Sequence, residues 1–264
     1  MTGVQTCALP ICRIYLQNVD HANTHSPFKV DKAPIKMSNL CCEIDLPTVP
    51  LNDVNDEDGR IALCTLSAIN WGNVKFPHDF EKMCTLAVRG LDALLSYQKY
   101  PIRAAELATQ EFRPLGIGII NFAYFLAKND TSYSDPRALA LVDEYAEAWS
   151  YYLIKASVDL AREQGPCTRW QDLKSADGVL PIDTRKSEVD ELVAYQERMP
   201  WAELREQIKA TGQRNATLMA LMPAETSAQI SNATNGIEPP RSYVSIKGSK
   251  HGQLRQVVPE FRRL

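Results

Sequence analysis

The segment Ser38-Asn39-Leu40-Cys41-Cys42-Glu43-Ile44 places an amide, a thiol and a carboxylate two residues apart. Strand alternation would set Asn39, Cys41 and Glu43 on one face and Leu40, Cys42 and Ile44 on the other. Such a row could hold hydroxyls with the amide, do radical or nucleophilic chemistry with the thiol, and take a proton with the carboxylate. The same residues also fit a buried cysteine beside a strand-end carboxylate. A second concentration is Met222-Pro223-Ala224-Glu225-Thr226-Ser227-Ala228-Gln229, where an apolar strand runs into a helix that opens on small and hydroxyl residues. A free helix N-terminus there would turn backbone N–H groups and a positive dipole end toward an anion such as phosphate. An ordinary start, with Pro223 just ahead and Thr226 or Ser227 satisfying the orphan donors, fits the same pattern.

Other reactive residues form no such set. Met1 to Ile11 (MTGVQTCALPI) has neither the basic start nor the long apolar run of a signal peptide. It resembles the translation of a constant sequencing-library adapter, so residues 1–11 are read as a non-native scar and residues 12–264 as the domain proper. Setting Cys7 aside leaves Cys12, Cys41, Cys42, Cys64, Cys84 and Cys167, with no C-x-x-C pair among them. They are expected to be reduced thiols, and no structural metal site is expected. His21 and His25 have helix-like spacing but fall in a polar stretch, where surface histidines are the expectation. Gly116-x-Gly118 is followed by Asn121 where a dinucleotide fingerprint wants glycine, which favours close strand packing over cofactor binding.

The elements that must position these residues alternate in type. Arg13 to Val19 reads as a strand leading into a polar loop from Asp20 to Lys36, and Ile61 to Ile69 as a strand after the turn-rich Pro47 to Gly59. Phe80, Met83, Ala87, Leu91, Leu94 and Leu95 recur mostly at three- and four-residue intervals, predicting a helix over Pro77 to Gln98. Leu115 to Ile120 is a buried strand with a helix directly behind it. Asp135-Pro136 caps a long helix that runs to Gly165. An irregular stretch, Pro166 to Pro200, precedes a helix from Trp201 to Ala210. Thr217 to Met222 then reads as a strand, Ala224 to Ser231 as a helix, and Tyr243 to Ile246 and Leu254 to Val258 as strands. The interleaving predicts an α/β protein with substantial parallel pairing.

A chain of 264 residues is long enough for a sizeable core. Its 29 Lys+Arg against 32 Asp+Glu provide no basic surplus for a phosphate backbone, so nucleic-acid binding is not its main task. No apolar run reaches the ~20 residues that span a bilayer, and the expected location is the cytoplasm.

The stretches Arg13-to-His21 (RIYLQNVDH), Ser38-to-Ile44 (SNLCCEI), Pro47-to-Asn55 (PTVPLNDVN), Ile61-to-Ala68 (IALCTLSA), Leu115-to-Ala127 (LGIGIINFAYFLA) and Met222-to-Pro240 (MPAETSAQISNATNGIEPP) closely resemble the large, catalytic subunit of class I ribonucleotide reductase. The resemblance covers nearly everything from residue 13 onward. It implies part of a ten-stranded α/β barrel with a central finger loop carrying a radical cysteine. By that resemblance Cys41 takes the radical position, between the amide and the carboxylate of the family's N-L-C-x-E order. Glu43 would be the base at the substrate 3′-hydroxyl, and Asn39 would hold the ribose hydroxyls. Cys64 would be one of two thiols that reduce the sugar, its partner lying upstream. Ser38 and the helix start at Ala224, Glu225, Thr226 and Ser227 would bind substrate, its phosphates held by backbone N–H groups and the Thr226 and Ser227 hydroxyls, with Glu225 ordering the loop or touching ribose. The implied partners are a ribonucleoside diphosphate, a radical-generating small subunit, thioredoxin or glutaredoxin as reductant, and a second copy in the full-length homodimer. No cofactor would bind this stretch directly. The radical would come from the small subunit's metal cofactor, and ATP or deoxynucleotide effectors would bind regions outside the chain.

The upstream thiol, the radical-relaying tyrosine pair and the C-terminal cysteines of that family are expected outside these residues, which makes the chain alone an inactive fragment with unpaired strand edges. Two other readings stand beside this one. Adjacent cysteines on such a barrel also occur in glycyl-radical enzymes such as pyruvate formate-lyase, and the chain could instead be a non-catalytic nucleotide-binding module.

Overall fold

A computed structural model describes residues 16–249 and 252–262. The adapter-like residues 1–11 and the first three residues of the first expected strand lie outside them, and Leu16 to Asn18 carry no strand pairing. Helix α1, Val19–His25, occupies ground read from sequence as a polar loop. It is tied down by Asn23, whose side chain accepts from the Ile35 N–H at 2.8 Å and donates to the Ile35 carbonyl at 2.9 Å. His21 and His25 therefore sit on a helix rather than in a loop.

Strand β1 is Leu66–Asn70, followed by α2 (Phe80–Tyr97), α3 (Arg103–Phe112), β2 (Gly116–Ile120) and α4 (Phe122–Lys128). The strand expected from Ile61 thus begins only at Leu66. The strands β1 and β2 pair in parallel, Leu66 opposite Gly116 through Asn70 opposite Ile120. Every residue of β2 is buried, which explains its unbroken apolar run: a parallel strand covered on both faces has no polar side to show. On its other edge Ile117 forms a parallel bridge to Met219, and the Ile117 N–H donates to the Leu218 carbonyl at 2.8 Å. The expected strand at Thr217 to Met222 is realised as this bridge alone. The bridge also explains the glycines, because a Cβ on Gly118 would lie 2.5 Å from the Ala220 carbonyl oxygen.

Helix α5, Pro136–Gln164, is 29 residues long, about 43 Å at the α-helical rise. Both ends are as the sequence predicts: Asp135 accepts from the Arg137 N–H, Pro136 takes the first position, and Gly165 ends the helix at φ +85°. It packs on α2, whose Phe80, Cys84, Val88, Leu91 and Leu95 are buried. Trp71, just past β1, plugs the joint, with ring centroids 5.3 Å from Phe80, 5.3 Å from Phe125 and 6.1 Å from Trp149.

The irregular Pro166 to Pro200 stretch contains four short 3-10 turns. Helix α6, Trp201–Thr211, and the six-residue α7, Glu225–Ile230, follow. The chain then forms an antiparallel hairpin, β3 (Val244–Ser249) with β4 (Gly252–Val257). The architecture is α/β, but parallel pairing is less extensive than expected, and the described strands do not close a barrel.

A buried polar knot locks these layers together. Asp92 of α2 accepts from Arg113 Nε at 2.7 Å, Arg214 Nε at 2.8 Å and Asn215 Nδ2 at 2.9 Å. Ser157 of α5 donates to Asn215 Oδ1 at 3.0 Å and accepts from its backbone N–H at 2.9 Å. Burial pushes the Asp92 carboxyl upward, but the hydrogen bonds from Arg113 and Arg214 outweigh it and hold the group below the usual carboxylate range.

Candidate active site

The residues from Ser38 to Ile44 form a tight turn instead of the strand expected of them. The Cys42 N–H closes it onto the Asn39 carbonyl at 3.1 Å, and Cys42 has φ +61°. The reason lies in Asn39. Its Oδ1 accepts from the backbone N–H groups of both Glu43 and Ile44, each at 3.1 Å. An asparagine side chain that captures the backbone a few residues on replaces the ladder a strand would need. Ser38 braces the same turn, its hydroxyl donating to the Ile44 carbonyl at 3.1 Å.

Folding the segment this way still gathers the residues that the sequence singled out. Asn39 Nδ2 donates to Cys64 Sγ at 3.5 Å, joining the turn to the chain just before β1. Cys41, Cys42 and Cys64 are all exposed free thiols, whereas Cys84 and Cys167 are buried. Burial raises the Cys64 thiol above its ordinary pKa, the Asn39 hydrogen bond opposes this, and the charges of Glu43 and of a thiolate at Cys41 add to the rise. Glu43 Oε2 is buried and has no hydrogen-bond partner. Beside the turn lies a cavity of about 420 Å³ lined by Asn39, Ile44, Pro50, Arg60 and Cys64. Arg60 is held in place there by both carboxylate oxygens of Glu111, at 3.0 and 2.7 Å.

The second predicted site lies apart from the first. Cys64 precedes the amino end of β1, whereas α7 begins beyond the carboxyl end of the Met219 bridge. A cavity of about 630 Å³ is lined by Glu225 together with Asn235, Arg241 and Gln256 and includes none of the thiol residues. Glu225, Thr226 and Ser227 are exposed and Ala224 is buried. The Ala224 N–H is already taken by Asn235 Oδ1 at 2.8 Å, and the Ser227 hydroxyl donates to the Ala224 carbonyl at 3.1 Å. The first-turn N–H groups of a helix have no acceptor within the helix itself.

Sequence reasoning missed two supports. Asn235 orders the start of α7. Asn121, at φ +65°, accepts from the Thr234 N–H at 3.1 Å and donates to Asn70 Oδ1 at 3.0 Å, joining the carboxyl ends of β1 and β2 to the loop after α7. For Asn121 the signal was present, since asparagine is the side chain that best tolerates a left-handed backbone. Among the described residues no three His, Cys, Asp or Glu side chains converge as metal ligands. None of the described helices is long and apolar enough to cross a membrane.

Paired parallel strands, with the Asn39 turn hydrogen-bonded to the Cys64 thiol just ahead of β1, make this an α/β protein with a candidate thiol site. The family model for the ribonucleotide reductase barrel domain matches residues 2–264, and the chain belongs to that family. It is 56% identical over 252 residues to the ribonucleoside-diphosphate reductase subunit alpha of Haemophilus influenzae, covering 96% of this chain and 33% of that protein. The ribonucleoside-diphosphate reductase 1 subunits alpha of Salmonella typhimurium and Escherichia coli K12 are 60% and 59% identical over the same shares of each chain. The chain thus spans about a third of the length of the curated relatives it matches. This membership favours the reductase reading over the glycyl-radical enzyme and the non-catalytic module.

Proposed function

We propose that this chain is part of the catalytic subunit of a ribonucleoside-diphosphate reductase, an oxidoreductase that makes 2′-deoxyribonucleotides in the cytoplasm by thiyl-radical chemistry. The observation that carries the assignment of roles is the Glu43 carboxylate oxygen, buried and unpartnered in the turn that brings Asn39 to the Cys64 thiol. A buried acceptor left open is costly unless something occupies it in use. A sugar hydroxyl is such a partner.

In this reading a thiyl radical at Cys41 removes the 3′ hydrogen of the bound ribonucleotide. Glu43 accepts the proton of the 3′-hydroxyl, and Asn39, already fixed by its bonds to the Glu43 and Ile44 N–H groups, presents its amide to the ribose hydroxyls. Cys64 gives its proton to the departing 2′-hydroxyl. A thiol whose pKa is raised by burial keeps that proton until it is needed. Cys64 then ends as half of a disulfide with a thiol from the longer protein. Ser38 shapes the turn through Ile44. The phosphates rest on the N–H groups and hydroxyls of Thr226 and Ser227, with Ala224 buried beneath and Glu225 ordering the segment. A small partner subunit would supply the radical from its metal cofactor, and thioredoxin or glutaredoxin would return the disulfide to thiols. The finger loop within a ten-stranded barrel, the homodimer, and residues 1–11 as a scar ahead of a domain over 12–264 complete the proposal.

The test is a chimera in which this chain replaces the matched segment of the Escherichia coli relative. With its small subunit, the chimera should reduce ribonucleoside diphosphates, and Cys41→Ser should lower turnover by at least about a thousandfold, as expected for one member of a unit that acts together. A Cys41→Ser chimera that kept its turnover would overturn the assignment.

A further inference from the structure

We propose that the adjacent thiols of Cys41 and Cys42 form a dithiol site that captures trivalent arsenicals through both sulfurs. Cys42 has no role in the reductase chemistry proposed above, yet it sits beside Cys41 at the tip of an exposed turn. In an extended strand the two side chains would leave opposite faces of the backbone. The turn over residues 39–42 and the left-handed backbone of Cys42 abolish that alternation, and both residues are open to solvent.

The spacing favours capture over a direct bond between the sulfurs. The described chain has no cis peptide, so the Cα atoms of Cys41 and Cys42 lie about 3.8 Å apart. Disulfides span Cα separations of roughly 4.4–6.8 Å, so these two thiols are too close to oxidise without strain. One atom inserted between the sulfurs enlarges the ring and relieves it. Arsenic(III) does this without any change of oxidation state: phenylarsine oxide loses its oxygen as water, taking one proton from each thiol, and two As–S bonds form. Cys64 is the rival partner for Cys41. Its sulfur is already engaged by the Asn39 amide at 3.5 Å, which leaves Cys42, the adjacent exposed thiol, as the available second arm. The capture needs neither a radical nor a nucleotide, so it stands or falls separately from the proposed reductase chemistry.

The experiment uses the 264-residue chain carrying Cys7→Ser and Cys12→Ser, treated with phenylarsine oxide and followed by intact and peptide mass spectrometry. One arsenical should be found on the peptide bearing Cys41 and Cys42, persist in excess glutathione, and leave with 2,3-dimercaptopropanol. Two linked thiols hold a common ligand about a hundredfold or more better than one. Cys42→Gly, which suits a φ of +61°, Cys42→Ser and Cys41→Ser should each lose that margin of glutathione resistance, and Cys64→Ser should keep it. Unchanged resistance in both Cys42 variants, or its loss in Cys64→Ser, would overturn the proposal.

Discussion

The Asp92 knot and the Asn39 turn are built from the same parts, a carboxylate, an asparagine and their neighbours, yet they are finished in opposite ways. At the knot, Asn215 bonds Asp92, the Arg113 carbonyl and Ser157, and both Asp92 oxygens are engaged by arginines. At the turn, Asn39 bonds two backbone N–H groups and the Cys64 sulfur, but Glu43 keeps a buried oxygen with no partner and three thiols face solvent. A satisfied polar network holds elements in one arrangement. An unsatisfied one holds a group ready for something that is not yet there. Burial alone does not mark this difference, because Glu43 Oε2 is itself hidden from water.

The comparison breaks most visibly at Asp92. Asp92→Asn keeps the shape and removes the charge, leaving two buried guanidinium groups uncompensated, and should cost about 3–5 kcal/mol in urea unfolding. Glu43→Gln, which removes a charge with an unpartnered oxygen, should leave the midpoint within about 0.5 kcal/mol or raise it. Equal losses in the two variants would erase the distinction.

Acid should separate the two regions next. The Asp92 carboxyl is held below its ordinary value by Arg113 and Arg214 against the opposing effect of burial. The unfolded chain then binds a proton that the folded one does not, over the interval between the two pKa values. The contribution is complete above the unfolded pKa of about 3.9 and is lost as pH falls through the lower, folded value. Urea midpoints measured downward from about pH 5 should fall less steeply in Asp92→Asn than in the parent chain, and parallel curves would show that the carboxylate is not specially held.

At the turn the corresponding probe is Asn39→Asp, which keeps the Oδ1 acceptor but exchanges the donor to Cys64 for a negative charge. Loss of the hydrogen bond and addition of the charge both raise the Cys64 thiol further. Alkylation of Cys64 at about pH 8 should slow by roughly two- to tenfold, since the thiolate is the reacting form. A faster reaction would mean that the amide shields the sulfur instead of tuning it.

How much of this the sequence made legible follows from how local each device is. Helix α5 was readable at both ends because Asp135, Pro136 and Gly165 act within one turn of themselves. The grouping of the candidate residues was readable too, since Asn39 bonds both the Cys64 sulfur and the Glu43 N–H. Their geometry was not: over seven residues a period of two fits a strand as well as a turn, and only the two backbone bonds to Asn39 decide between them. Helix α3 went unread although RAAELATQEF is rich in helix formers, and it ends on Arg113 at φ +46°. The knot left no local trace at all, because Asp92 meets Arg113 and Arg214 from 21 and 122 positions away.

The smallest expected effect separates the turn's two cysteines from each other. Cys42 holds a left-handed backbone, φ +61°, which costs an L side chain about 1–2 kcal/mol. Cys41 is not among the described residues with positive φ. Glycine removes that penalty at Cys42 but returns about 0.4–1 kcal/mol through the freedom it gives the unfolded chain. Cys42→Gly should therefore stabilise the chain by about 0.5–1 kcal/mol, whereas Cys41→Gly should destabilise it by a similar amount, having only the entropy term to feel. Thermal melts of the two variants side by side read the sign directly. If both were destabilising, the turn would have to carry Cys42 in another conformation, and the contrast between its two cysteines would lose its backbone argument.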